Sequence, residues 1–278
     1  MDVNKFLIIN PEDCFKKIGN SKIKILDCRW YLNDSSKGKW SFHKQHIPGA
    51  IFIDVESFSD KESDLPHMMP GKLFFEKKMS KLGISHSDEI IIYDQEGFFC
   101  STRIWLMFKF FGHEKVLILN GGFKAWIRKK YKTEKEIKKF NKTIYKSKEL
   151  KKFIINKKKL ELIIVNREYT VIDARPKNRF EGRISEPRKN VIKGNIPKSI
   201  NIPFSIISTN LGRLKKLKSL KKIFYENYNL ENQKIVCMCG SGITACNILF
   251  ALNFIKHKQK VFLYDGSWSE WGKIEKKN

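Results

Sequence analysis

The stretch Ile235-Val236-Cys237-Met238-Cys239-Gly240-Ser241-Gly242-Ile243-Thr244-Ala245 decides how this chain is read. Residues 235–238 form a short, wholly apolar run of the kind that makes a buried strand. Gly240 and Gly242 break the run, and a helix-like segment follows from about Thr244 to Lys256. Strand, tight loop and helix in that order predict one unit of a parallel sheet flanked by helices. Cys239 then falls at the carboxyl end of the strand, where ligands of such sheets sit. Loop N–H groups and the positive end of the helix dipole surround a side chain at that point. This is the setting that makes a cysteine a nucleophile, so Cys239 is the predicted reactive atom carrier. A Cys-x5-Arg phosphatase is excluded, because Ala245 stands where such an enzyme needs its phosphate-clamping arginine.

Working outward, the same pattern occurs twice, at a spacing of about 145 residues. Asp27-Cys28-Arg29 follows one apolar run and Asp173-Ala174-Arg175 another. His46-Ile47-Pro48-Gly49-Ala50-Ile51 is echoed by Asn195-Ile196-Pro197-Lys198-Ser199-Ile200, and Ile90 to Asp94 by Ile235 to Cys239. Gly121-Gly122-Phe123-Lys124-Ala125-Trp126 is echoed by Asp265 to Trp271. Each half alternates short apolar runs with helical segments: Ile90–Tyr93, Ser101–Phe111 and Val116–Leu119, then Ile235–Met238, Thr244–Lys256 and Val261–Tyr264. The expected fold is therefore α/β, in two tandem domains, each a mainly parallel sheet flanked by helices. The expected boundaries are 1–140 and 160–278, joined by a Lys-rich linker at 141–159 that loops over the surface. The repeat is also an internal control. The first half carries Asp94 where the second carries Cys239, and a carboxylate cannot perform thiolate chemistry. The second domain is expected to be catalytic and the first inactive.

Composition narrows the class. The 278 residues suit two domains of ordinary size, and 41% hydrophobic content suffices for two cores. No apolar run approaches the roughly 18 residues of a membrane span. Residues 1–11 lack the apolar core of a signal peptide. The six cysteines, at 14, 28, 100, 237, 239 and 246, form no CxxC pair and no metal spacing. They read as reduced thiols of a cytoplasmic protein, with no metal and no cofactor. The net charge of +26 favours anionic substrates in general. Its lysines are spread along the chain among Ile, Asn and Phe, which argues against a dedicated nucleic-acid surface.

These motifs together resemble the tandem-domain rhodanese family. The resemblance runs from Ile23 to Trp271 and rests on His46-Ile47-Pro48-Gly49-Ala50, Pro66-His67-Met68-Met69-Pro70, Asp173-Ala174-Arg175, Arg179-Phe180, Glu186-Pro187-Arg188 and the Cys239 loop. It implies a sulfurtransferase that carries sulfane sulfur as a Cys239 persulfide. Thiosulfate-using members place cations in the loop. Here the loop offers Gly240, Ser241 and Gly242, which resembles the branch that uses 3-mercaptopyruvate and releases pyruvate. By the same resemblance Arg179 and Arg188 clamp the donor's carboxylate, and Gly240, Gly242, Ile243 and Thr244 line the donor site. Ser241 meets His67 and an acid, both contributed by the first domain, and the three form a proton-handling set. Glu56 matches the acid's position and Asp54 competes with it. Arg175 is expected to make structural hydrogen bonds, Cys237 to lie in the core, and Cys100 and Cys246 to be packing residues. The implied acceptor is cyanide or a thiol, such as a thioredoxin-like protein. The alternatives are a thiosulfate sulfurtransferase of the same fold and, from another class, a basic sulfur-relay or RNA-binding module.

Overall fold

The computed structural model describes residues 7–150 and 153–274 of the chain. The signal-peptide expectation for 1–11 falls in part on residues outside these. Two compact units are seen: residues 7–61, 69–150 and 208–214 in the first, and 62–68, 153–207 and 215–274 in the second. Two short excursions, 62–68 and 208–214, thus leave the simple division into halves. In the second, Leu214 N–H donates to Asn120 Oδ1 (2.9 Å), and Arg128 Nη2 donates to Leu211 O (2.7 Å).

The first unit holds strands β1 (Ile8–Ile9), β2 (Ile23–Asp27), β3 (Ile51–Phe52), β4 (Glu89–Tyr93) and β5 (Val116–Leu119), in the order β1-β5-β4-β2-β3. The second holds β6 (Ile154–Ile155), β7 (Thr170–Asp173), β8 (Ile200–Asn201), β9 (Ile235–Met238) and β10 (Val261–Tyr264), in the order β6-β10-β9-β7-β8. Every pairing is parallel. Covered on both faces, the central strands need apolar residues throughout, and Ile90–Tyr93 and Ile235–Met238 are fully buried. The helices that follow them, Ser101–Phe110 and Ala245–Phe254, each bury nine residues, with Arg103 and Asn247 among them.

One difference between the halves is instructive. At the turn before β3, Gly49 adopts φ +77°, and in the second unit Lys198 holds the corresponding left-handed backbone at +66°. Asn195, in the place of His46, donates from Nδ2 to Phe180 O (3.1 Å). The departures from the first motif therefore change the turn's chemistry while keeping its shape.

The expected linker carries structure. Residues 141–150 lie against the first unit: Thr143 N–H donates to Ser80 O (3.1 Å) and Leu150 N–H to Phe110 O (2.7 Å). The ring of Tyr145, 3% exposed, packs edge-on to Phe75 and stacks on His113. Ile154–Ile155 is already a strand of the second unit, and Asn156 caps the helix Lys157–Asn166 by accepting from Lys159 N–H. A Lys-rich composition hides an arm anchored by one aromatic residue. No helix among the described residues is long and apolar enough to cross a membrane.

Candidate active site

Cys239 lies directly after β9, 2% exposed. The loop behind it is best understood beside its counterpart. In the first unit the Asp94 carboxylate accepts five backbone hydrogen bonds: Glu96 and Gly97 donate to Oδ1 (2.9 and 2.5 Å), and Phe99, Cys100 and Ser101 donate to Oδ2 (2.7, 2.9 and 3.0 Å). That loop is built around an anion, and its own side chain supplies it. In the second unit the N–H groups of Ser241, Gly242, Ile243, Thr244 and Ala245 have no acceptor among the described residues. Ser241, Ile243 and Ala245 are buried. Buried N–H groups are nearly always paired, so this cup of donors is suited to negative charge carried by Cys239 or by a molecule bound to it.

Ser241 is the loop's polar side chain. Its Oγ lies 2.9 Å from His67 Nδ1 and accepts from Arg188 Nη2 (3.2 Å). His67, 3% exposed, has a φ of +61°, a conformation that costs energy for a residue with a β-carbon. It belongs to the short segment 62–68 of the second unit.

Arg179 approaches from the helix Lys177–Phe180. A β-carbon on Gly240 would lie 2.9 Å from its Nη2, so the guanidinium lies against the loop backbone. The loop has no cation of its own, but one is delivered to it. Arg179 is itself held by Glu186, which accepts from Nε at Oε1 (3.2 Å) and from Nη2 at Oε2. Glu186 Oε1 also accepts from Arg175 Nη1 (2.8 Å), and Arg175 is paired with Asp173 at the end of β7 (2.6 Å). Asp173, Arg175, Glu186 and Arg179 thus form a chain of alternating charge, each countered by the next. Arg175 also donates to Gly194 O (2.7 Å) and lies over the Trp268 ring. Its role is structural, and Arg29 repeats it in the first unit with Asp27 and Gln45 O. Glu186 stands in one of the motifs quoted above, but the sequence reading gives it no role of its own. The signal that could have found it is an acid flanked by two arginines.

The structure therefore brings Cys239, Gly240, Ser241, His67, Arg179 and Arg188 together in the second unit, with Gly242, Ile243 and Thr244 in the same loop. Glu56 lies in the first unit, where Oε1 accepts from Trp30 Nε1 (3.0 Å). Asp54 caps the helix Val55–Phe58, accepting from Glu56 N–H and Ser57 N–H with its two oxygens (3.1 and 3.2 Å). Of the other cysteines, burial pushes Cys14 up to about 12 and raises Cys28 and Cys237 well above the usual thiol range. Cys246 donates from Sγ to Gly242 O (3.0 Å) beneath the loop. Among the described residues no three His, Cys, Asp or Glu side chains cluster as a metal would require.

The family model of the rhodanese-like domain matches this chain twice, over residues 10–129 and 148–274. The chain belongs to the rhodanese family. Its relatives within that family include the mouse 3-mercaptopyruvate sulfurtransferase, 35% identical over 252 residues, covering 90% of this chain and 84% of the relative. The chicken thiosulfate sulfurtransferase is 32% identical, covering 90% and 86%. The crystal structure of SseA, the 3-mercaptopyruvate sulfotransferase of Escherichia coli, superposes with a TM-score of 0.84 at 30% identity, over 94% of this chain and 98% of that one. The two matched segments of the rhodanese family model hold strands β2 to β5 and β6 to β10.

Proposed function

We propose that this rhodanese is a sulfurtransferase that takes the thiol sulfur of 3-mercaptopyruvate and carries it as the sulfane sulfur of a Cys239 persulfide. The observation that carries the reading is the cup of loop N–H groups without protein acceptors behind Cys239, edged by two arginines. Arg179 and Arg188 are planar cations suited to the donor's carboxylate. The Cys239 thiolate attacks the donor's sulfur, a new S–S bond forms, and the C–S bond breaks. Its electron pair leaves with the carbon fragment as the enolate of pyruvate. A proton returned to that carbon completes pyruvate, and Ser241 with His67 is the pair suited to deliver it. The loop amides stabilise negative charge on sulfur through the exchange. A thiol or cyanide then attacks the outer sulfur and restores Cys239. The first domain, with Asp94 in the loop, is inactive, and Glu56 is its contribution to proton handling.

The deciding assay follows pyruvate release from 3-mercaptopyruvate, and thiocyanate formation from thiosulfate and cyanide, in the wild type and in Cys239→Ser. We expect mercaptopyruvate to be the better donor and Cys239→Ser to be inactive. Equal or better turnover of thiosulfate would move the chain to the other branch, where its chicken relative stands. Activity in Cys239→Ser would remove the nucleophile. Loss of either arginine should raise KM for mercaptopyruvate about tenfold or more, since each makes a charge-assisted hydrogen bond worth roughly 1.5–3 kcal/mol.

A further inference from the structure

We propose that Ser267 is a positioning residue for Cys239, a role that rests on reading Cys239 as the nucleophile. Ser267 opens the helix Ser267–Trp271 and is fully buried. Its Oγ accepts the Cys239 N–H (3.2 Å) and donates to Tyr264 O (2.9 Å). The next residue completes the hold, because Trp268 N–H donates to Cys239 O (2.9 Å). Ser269 then clamps Gly240 O with both its N–H (2.9 Å) and its hydroxyl (2.5 Å). Both backbone polar groups of the cysteine are therefore fixed from the same helix start.

Ser267 does this at φ +51°, a left-handed conformation that disfavours any residue with a β-carbon. The first unit shows that a side chain is not needed to make the turn. Gly122, the corresponding residue, adopts φ +56°. There Phe123 N–H donates to Asp94 O (2.8 Å), and Lys124 N–H to Gln95 O (3.3 Å). The carbonyl half of the clamp is thus present in both units, and the hydroxyl half only in the second. A β-carbon on Gly122 would stand 2.5 Å from Gly97 N and 2.6 Å from Asp94 O, because that loop has closed on its own carboxylate. In the second unit no carboxylate draws the loop in, and a buried hydroxyl grips the residue that bears the sulfur. A strained serine kept where glycine would serve the backbone indicates that the hydroxyl is the reason for it. Fixing the Cys239 peptide fixes its Cα–Cβ bond and hence the place of Sγ among the loop N–H groups.

The test uses the full chain as Ser267→Gly and Ser267→Ala. The glycine variant keeps the backbone, as Gly122 does, and loses the hydroxyl together with its β-carbon, whereas the alanine variant loses the hydroxyl alone. The glycine variant keeps the test open if the alanine variant fails to fold. Two readouts are needed: steady-state turnover of 3-mercaptopyruvate, and the rate of Cys239 alkylation by iodoacetamide, followed by peptide mass. We expect kcat to fall about tenfold with KM within about threefold, and alkylation at Cys239 to slow in parallel. Wild-type kcat and alkylation in Ser267→Gly would overturn the proposal. So would a rise in KM at unchanged kcat, which would assign Ser267 to donor binding. If the wild type itself does not turn over mercaptopyruvate, the functional reading fails and the alkylation rates alone decide the role of Ser267.

Discussion

Arg179 lies so close to Gly240 that a β-carbon there would come within 2.9 Å of Nη2. The glycine is thus a condition for the arginine's place, and the arginine cannot simply step aside because Glu186 holds it through Nε and Nη2. Gly240→Ala should therefore displace the guanidinium while leaving the sheet and Cys239 intact. The expected result is a rise in KM for mercaptopyruvate of about tenfold, which is what removing one charge-assisted hydrogen bond costs. The double variant Gly240→Ala/Arg179→Ala should be no worse than Arg179→Ala alone, because both changes remove one interaction. Additive effects would show that the glycine serves something other than Arg179.

The five hydrogen bonds to Asp94 make the opposite prediction, one of stability without activity. An asparagine there offers one acceptor oxygen and turns an NH2 group toward N–H donors that need a lone pair. Asp94→Asn should lower the stability of the first unit by about 3 kcal/mol, as expected for buried donors stripped of a charged acceptor. Urea unfolding would record that decrease. Turnover well below the unfolding temperature should stay near wild type. An unchanged urea midpoint would mean that the loop does not depend on its internal anion.

Much of this was legible in the sequence, for reasons that can be stated. Strand ends, the Cys239 loop and the two Asp-x-Arg pairs are local patterns, repeated at about one spacing, and a repeat that keeps Trp126 and Trp271 in register shows its architecture. What escaped is non-local. The arm 141–150 looks like linker until Tyr145 meets Phe75 and His113, which are distant in the chain. Segment 62–68 joins the second unit and not the first, so the expected meeting of His67 with Ser241 takes place within one unit. Glu186 could be read only as part of a motif until its oxygens were seen between two arginines. In the choice between Glu56 and Asp54 the sequence draws no line, because the capping of Val55–Phe58 by Asp54 shows only in the hydrogen bonds at that helix start.

That choice gives a clean experiment. Asp54 uses both oxygens to cap the helix Val55–Phe58. Asp54→Ala should lower stability by about 1 kcal/mol, the usual cost of removing an N-cap, with kcat nearly unchanged. Glu56→Gln keeps the size of the side chain and an acceptor for Trp30 Nε1, so it should fold normally. Its kcat should fall at least about tenfold if its charge supports the histidine's proton transfer. The reverse outcome, normal kcat in Glu56→Gln and a deep loss of activity in Asp54→Ala beyond its stability cost, would exchange their roles.

His113 provides a pH signature unrelated to catalysis. It is fully buried, with Nδ1 2.9 Å from the Tyr145 hydroxyl and Nε2 2.8 Å from Asp88 O. Burial lowers its pKa from 6.5 to about 4, with the nearby charges of His86, Lys109 and Lys115 adding to the effect and the Asp88 carbonyl opposing it. Between those two values the unfolded chain binds a proton that the folded chain does not. Stability therefore falls as pH drops through that window and is unaffected by this group above it. The full shift corresponds to about 3 kcal/mol. Urea unfolding at pH 7 and at pH 4.5 should show the wild type losing more stability than His113→Gln, which has no proton to gain. Carboxylates titrating over the same range act on both proteins and cancel in the comparison. Equal decreases would mean that His113 is protonated inside the folded unit, which the arm carrying Tyr145 would then have to accommodate.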